Sequence, residues 1–433
     1  MTKVVQYIIQ FLLGENATQE AISSVGYTSD PNLFNKYKIV IHPSNFFDND
    51  IYGRQESIPQ LPLKTIERDI PLLFGDEREV LTGDTLIIYA DIIASSFFLI
   101  SRYEETVNRS TRDEHGRFPG KASLPYQAQF INRPIVEEYG SFLRNKLKGL
   151  GIDTSDEEQK IKSVYLTHDV DSPFFCRTWR NVVRETLNGG NIFLSAKRKF
   201  GALYNDANFT FLWLFNENSK LTDKSGEKKC QSVAFFKVGG NTKQDKPVYS
   251  ISGSDIKTLF DLCDTNNVAI GLHSSYQAGM QSELIAKEKQ QLEKALTKRV
   301  RFNRHHFLSC REPEDMELLI KAGIEEDFTM GYADAAGFRL GTCRPVQWIN
   351  PVTKEITPLL LHPLTIMDRS LVESKYMGLS YEQALDYCKG LIEQTALHNG
   401  EITLLWHNTS VTEYSKDYLK QLYKDLLNEI EER

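Results

Sequence analysis

The sequence predicts an α/β protein in two parts. A smaller α+β domain is expected over residues 1–155, and strands alternating with helices around a largely parallel sheet over 160–433. Three observations predict it. From residue 160 onward, short apolar runs alternate with amphipathic helical stretches, which implies right-handed crossovers between parallel strands. The stretch "GLGIDTSDEEQKIK" (149–162) is polar, acidic and glycine-bearing, as a domain boundary should be. Chemistry-bearing side chains recur at the C-terminal ends of the predicted strands, where βα folds carry their sites. About seven strand–helix units follow one another, enough to close into a barrel.

In the first part, the apolar run within "MTKVVQYIIQFLLGENATQE" reads as a strand or helix. It is too short to span a bilayer, and it lacks the basic start and small-residue cleavage site of a secretion signal. "KYKIVIHPS" and "DTLIIYADI" read as strands, and "DIIASSFFLISRYEETVNR" as one helix with a charged end. "RDEHGRFPGKASLPYQ" packs charge, Gly and Pro together and reads as a loop. "EEYGSFLRNKLKG" is helical.

In the second part, strand "SVYLTHDVD" leads to helix "RTWRNVVRETL", "SVAFFKVGG" to "SGSDIKTLFDLCDTNN", and "VAIGLHSSY" to "SELIAKEKQQLEKALTKR". "RFNRHHFLS", helix "EPEDMELLIKAG", "EDFTMGYA" and "LLLHPLTIMD" follow. Ser380 and Gln383 stand in capping-box spacing at the head of the next helix, and "EITLLWHNTS" comes after it. The Gly-rich stretch ending in "GTCRPVQW" reads as a βα loop.

Of 433 residues, 41% are apolar and 25% charged, a balance that permits a real core. The net charge of −7 argues against nucleic acid or an anionic membrane as partner. Six cysteines form no CxxC pair, which argues against a zinc ribbon and for free thiols in a reducing compartment. No stretch is long and apolar enough to cross a membrane, and a cytoplasmic location is expected.

The polar strand ends carry the chemistry. Asp169 and Asp171 close one strand, His273 another and His407 a third, while Arg304, His305 and His306 sit together in "RFNRHHFLS". Residues two apart on a strand share a face, so Asp169 and Asp171 should lie about 6.6 Å apart, Cα to Cα, pointing the same way. Carboxylates that close repel, and a metal ion resolves the conflict. One Asp would bind the ion and the other would act as base for a water held there, with His407 as the acid for a leaving group. The plainer reading of Asp171-Ser-Pro is a turn or a helix cap. His42, His115 and His398 lie outside this set and read as surface or satisfied structural histidines. His362 and Asp368 are open between pocket and structural roles, and Tyr276 could line the pocket. Tyr332, Phe338, Arg339 and Trp348 read first as loop anchors and second as a surface for a sugar or acidic glycan.

"LTHDVDSP" resembles the first motif of the NodB-homology polysaccharide deacetylases, the carbohydrate esterase family 4 group. "GLHSSYQAG" resembles their second motif, His-Ser/Thr-x-x-His, "RFNRHHFLS" the Arg-containing third, and "ITLLWHN" the last, Leu-x-His. The resemblance runs from about residue 160 to 415. "ASSFFLISRYEE" and "DEHGRFP" are similar to a domain that precedes such deacetylases in some bacterial proteins. The resemblance implies a distorted (β/α)7 barrel that removes N- or O-acetyl groups from a carbohydrate, a bacterial polysaccharide or its precursor. It implies Asp169 as general base, His407 as general acid and Arg304 orienting Asp169. Asp171 and His273 would ligate a divalent ion, zinc by the chemistry of the set. One departure matters: Gln277 stands where the second motif has its closing histidine. Three outcomes are open. His306, or else His305, supplies the third nitrogen; water or substrate completes the site; or the metal is lost, leaving a carbohydrate-binding or regulatory relative.

Overall fold

Alternation decides which face each strand of the second part turns to the site, and register decides which neighbours meet there. The computed structural model describes every residue except 1, 68, 155–157, 176, 178–181, 184, 185, 188, 190, 223–225, 227, 228 and 416. The expected helix over 177–187 and Cys176 therefore fall largely outside the described residues.

The first part contains a small mixed sheet. Strands β1 (Val25–Tyr27), β2 (Ile39–Ile41), β5 (Gly75–Thr82) and β6 (Thr85–Ala90) pair in the order β1-β2-β6-β5, and β3 (Lys64–Ile66) with β4 (Ile70–Leu72) forms a separate hairpin. The N-terminal run is a helix, Thr2–Leu13, burying Val4, Ile8, Ile9, Leu12 and Leu13 on one face. The single helix expected over 91–109 is two, Ile92–Ile100 and Tyr103–Val107. The break falls at Arg102, whose backbone is left-handed at φ 61°. Its guanidinium reaches Glu105 at 2.5 Å and the Cys310 carbonyl at 3.4 Å.

The second part holds strands β7 (Ser163–Val170), β8 (Cys230–Lys237), β9 (Val268–Ser274), β10 (Phe302–His305) and β11 (Glu326–Met330). β12 (Val346–Asn350), β13 (Glu355–Pro363), β14 (Ile366–Met367) and β15 (Glu401–Leu405) follow. They pair in the order β12-β13-β11-β10-β9-β8-β7-β15-β14, all parallel except β12 against β13. β12 corrects the loop reading of "PVQW": its residues return antiparallel on β13 and bury Trp348. Among the described residues the ladder is open, with β12 and β14 at its edges, and traces no closed barrel. The cause lies in residues 355–367. Their first half pairs with β11, and after Leu364 and Thr365 the chain pairs with β15 instead.

Tyr165, Val233, Phe235 and Phe328 form an apolar layer on one face of the sheet, and Arg304 lies over the Phe235 ring. A larger apolar core runs without interruption from Val4 and Ile8 through Phe97 and Tyr139 to Leu422 and Ile430, joining the two parts. Ser380 and Gln383 form the expected capping box on the helix Tyr381–Leu397. No helix among the described residues is long and apolar enough to cross a membrane.

Candidate metal centre and its cleft

At the end of β7 the alternation sends His168 one way and Asp169 and Asp171 the other. His168 is buried, with Nδ1 2.8 Å from the Trp406 carbonyl and Nε2 3.0 Å from the Asn218 amide. Burial pushes its pKa down to about 4, so it is neutral and structural. On the opposite face, Asp171 Oδ1 lies 3.2 Å from His273 Nε2 and 3.3 Å from His306 Nε2. The three ligand atoms all lie within 4.8 Å of one another.

These groups fit a divalent cation. Asp171 Oδ1 and His273 Nε2 are buried and have no hydrogen-bond partner, an arrangement that is costly without a ligand. Each imidazole is also held from behind. His273 Nδ1 lies 3.0 Å from the Arg304 carbonyl, and His306 Nδ1 lies 3.4 Å from Asp245 Oδ1. A carbonyl only accepts, so the His273 proton sits on Nδ1 and the Nε2 lone pair faces the centre. Burial would raise the Asp171 pKa, but His306 and His273 hold it well below the carboxylate range. One carboxylate and two imidazoles leave a coordination position open, the pattern of catalytic zinc sites.

Two ion pairs flank the trio. Arg304, fully buried, donates from NH1 to Asp169 Oδ1 at 3.0 Å and to Thr167 Oγ1 at 2.8 Å, and from Nε to the Phe328 carbonyl at 2.9 Å. Asp169 Oδ2 stands 3.5 Å from His273 Nε2. On the other side His407 Nε2 is 3.7 Å from Asp171 Oδ2, and its Nδ1 is 2.8 Å from Asp368 Oδ1. Asp368 also accepts from the His407 amide at 2.8 Å and the Ser410 hydroxyl at 2.5 Å. Burial alone would lower the His407 pKa, but Asp368 lifts it to about 9. Burial would raise Asp368, yet His407 holds it down at about 2.

A cleft of about 330 Å³ opens over these groups. Asp169, Asp171, His306 and His407 form one side of it, and Leu308, Ala333, Met367 and Leu405 an apolar patch on another.

Residues 1–151 match a family of unknown function (DUF7033). None of the curated proteins matches the chain. Among solved structures, the chain is similar to a protein from Mycobacterium smegmatis assigned as a polysaccharide deacetylase. That match has 12% identity and a TM-score of 0.39, over 64% of this chain and 86% of the other. It is also similar to a CE4-family pseudoenzyme from Bacillus anthracis, at 12% identity and a TM-score of 0.29 over 62% of each chain. A mutant of that pseudoenzyme with restored enzymatic activity matches at 12% identity and a TM-score of 0.29, over 62% of this chain and 64% of the other.

The structure thus brings together Asp169, Asp171, His273, Arg304, His306 and His407. Gln277 stays outside: its Oε1 accepts from the Asn241 amide at 3.0 Å and its Nε2 donates to Gln281 at 3.3 Å. His305 turns away into a buried network with Asn303 and Thr329. His362 lies between Glu326 and Glu401, which begin β11 and β15, at the opposite end of the sheet. Tyr276, Tyr332, Phe338, Arg339 and Trp348 are all buried, and Arg339 is paired with Glu105. His115 is the satisfied structural kind and not a surface one: it is buried, with its Nδ1 3.3 Å from the Tyr276 hydroxyl. Sequence reasoning missed Asp245, whose loop carries no signal beyond following a strand. It also missed Lys237, the last residue of β8, aligned with His273 in the ladder. Lys237 is buried with its Nζ unpartnered, and burial lowers its pKa while Asp171, Asp245 and Asp169 pull it back up.

Proposed function

We propose that the chain is a metal-dependent hydrolase that removes an N- or O-acetyl group from a carbohydrate. The observation that carries this reading is the convergence of Asp171, His273 and His306 on one point, with Asp169–Arg304 on one flank and His407–Asp368 on the other. Read as one strand, residues 355–367 would bridge β11 to β15 and close a distorted (β/α)7 barrel around that point. The division into domains at 1–155 and 160–433 belongs to the same proposal.

Asp171, His273 and His306 would hold the ion, which when bound supplies Lewis acidity toward water and an acyl oxygen. Arg304 fixes Asp169 by a charge-assisted bond and leaves Oδ2 facing the centre, where it can take a proton from an attacking water. Leu308, Met367 and Leu405 line the cleft as an apolar patch against which the acyl methyl would lie. His407, charged through Asp368, gives its Nε2 proton to the departing amine or alkoxide as the acyl–N or acyl–O bond breaks. Acetate and a free amine or hydroxyl result. His306, standing beside Asp171 where Gln277 does not, weakens the case for a metal-free binding relative.

Zinc titration followed by calorimetry should find one tight site in the full chain, lost in Asp171→Ala and His306→Ala. Acetate release from a panel of N- and O-acetylated sugars should fall about a hundredfold or more in Asp169→Asn and Asp368→Asn, the scale of a lost general acid or base. A bound ion with no acetate from any sugar, but turnover of linear amides, would overturn the substrate class. No bound ion at all would overturn the reaction.

A further inference from the structure

We propose that the N-terminal segment completes the cleft, with Arg117 as the positioning residue that holds His306 in place. This rests on the reading of the cleft as a metal site. His306 does not sit within regular strand: β10 ends at His305, and the chain then turns through Phe307 and Leu308, both left-handed at φ 60° and 53°. Neither side chain favours that region, so the turn persists only where its surroundings impose it.

The surroundings come from the "DEHGR" turn of the first part. Asp113 and Arg117 close that turn on themselves, with the Asp113 amide donating to the Arg117 carbonyl and the Gly116 amide to the Asp113 carbonyl, each at 2.9 Å. Gly116 is required there: its φ is 74°, and a Cβ would meet the Arg311 side chain at 2.6 Å. Asp113 then aims the guanidinium through Nε at 2.8 Å and NH2 at 2.7 Å. Arg117 NH1 donates to the Phe307 carbonyl at 2.8 Å, and NH2 reaches the Tyr376 hydroxyl at 3.3 Å. The His115 ring stands 4.9 Å from the Phe307 ring, which stands 4.8 Å from the His306 ring. Further along, the Gly120 amide donates to Asp334 Oδ1 at 2.7 Å and Lys121 Nζ to the Tyr376 carbonyl at 2.9 Å. The loop is fastened to the second part on both flanks of Arg117, which itself lines the cleft.

Two measurements on the full chain test this. In metal-free protein, hydrogen exchange across residues 304–310 should quicken in Arg117→Ala. In Arg109→Ala it should not, since that change cuts the same loop's side-chain contacts with Glu312 and Glu314 and removes no bond to the backbone of the turn. Zinc affinity should fall about tenfold or more in Arg117→Ala, the scale of a lost supporting contact. It should recover in part when Phe307→Gly is added, because glycine adopts the left-handed turn unaided. A purely structural role for the Asp113–Arg117 pair predicts no such rescue. Unchanged exchange in Arg117→Ala, or zinc affinity equal to the wild type, overturns the proposal. Absence of zinc binding by the wild type overturns the site reading, and exchange alone then decides whether Arg117 holds the turn.

Discussion

A buried histidine between two glutamates shows what single residues decide here. His362 Nδ1 lies 2.7 Å from Glu401 and Nε2 3.0 Å from Glu326, with the ring stacked on Phe328 at 4.1 Å. Burial alone would lower its pKa, but the two carboxylates raise it from 6.5 to about 9. The folded value exceeds the unfolded one, so the imidazolium's stabilisation is full below about 6.5 and is lost as pH rises through about 9. A shift of that size corresponds to on the order of 3 kcal/mol. Urea midpoints should therefore fall for the wild type between pH 7 and pH 10, and the fall should shrink in Glu401→Gln, which starts lower. Parallel pH curves for the two proteins would refute the assignment. Lys237 makes the opposite kind of prediction at the centre. Its buried, unpartnered Nζ, when charged, would oppose any cation beside Asp171, so Lys237→Met should bind zinc more tightly, on the order of tenfold, in the same calorimetric titration. Looser binding would mean that Lys237 supports the ligands instead.

At the scale of elements, the site depends on β7, β9 and β10 ending at one level. The ladder sets Arg304 beside His273, and His273 beside Lys237. Gly271 lets those strands close over their apolar layer, since a Cβ there would meet the Phe235 ring at 2.5 Å and Phe302 at 3.1 Å. Gly271→Val should therefore destabilise the fold by about 1–3 kcal/mol through overpacking, read as a lowered denaturant midpoint. It should also weaken zinc binding, because the ring it displaces lies under Arg304. An unchanged midpoint would show that the layer has room to spare. Much of this was legible. The strands that carry Asp169 and His273 near their ends announce themselves by apolar runs stopping at polar residues, and a period of two places Asp169 and Asp171 on one face. The third member of the trio was legible only as an alternative. The four-residue spacing from His273 points to Gln277, whereas His306 arrives from the neighbouring strand by a left-handed turn that Phe307 and Leu308 do not advertise. β12 was hidden because its short run follows Gly- and Pro-rich loop chemistry. The split of the helix over 91–109 was hidden because Arg102 is an ordinary helix former, and its contacts with Glu105 and with Cys310 in the other half of the chain leave no mark in the spacing.

Arg102 belongs to a cluster that ties the whole molecule together. Glu105 pairs with Arg102 just before its own helix and, through Nε at 3.0 Å and NH2 at 2.8 Å, with Arg339 from the second part. All three residues are buried. Burial would raise the Glu105 pKa, but Arg102 and Arg339 hold it down at about 2. Arg339 also donates from NH1 to the Gly331 carbonyl at 2.8 Å, so the loop after β11 hangs from the same glutamate. A second buried pair, Glu137 with Arg344 at 3.0 Å, fastens the far end of that loop. The uninterrupted apolar core means that neither part can be lifted away without exposing the other. Breaking one member of a buried charge cluster leaves the rest uncompensated, so Glu105→Gln should cost about 3–5 kcal/mol. Replacing all three residues with apolar side chains of similar volume should cost far less, because it removes the charges together. Denaturant unfolding of both variants beside the wild type measures the contrast. If the single change proved no worse than the triple one, the ion cluster would be a passenger, and apolar packing alone would join the two halves.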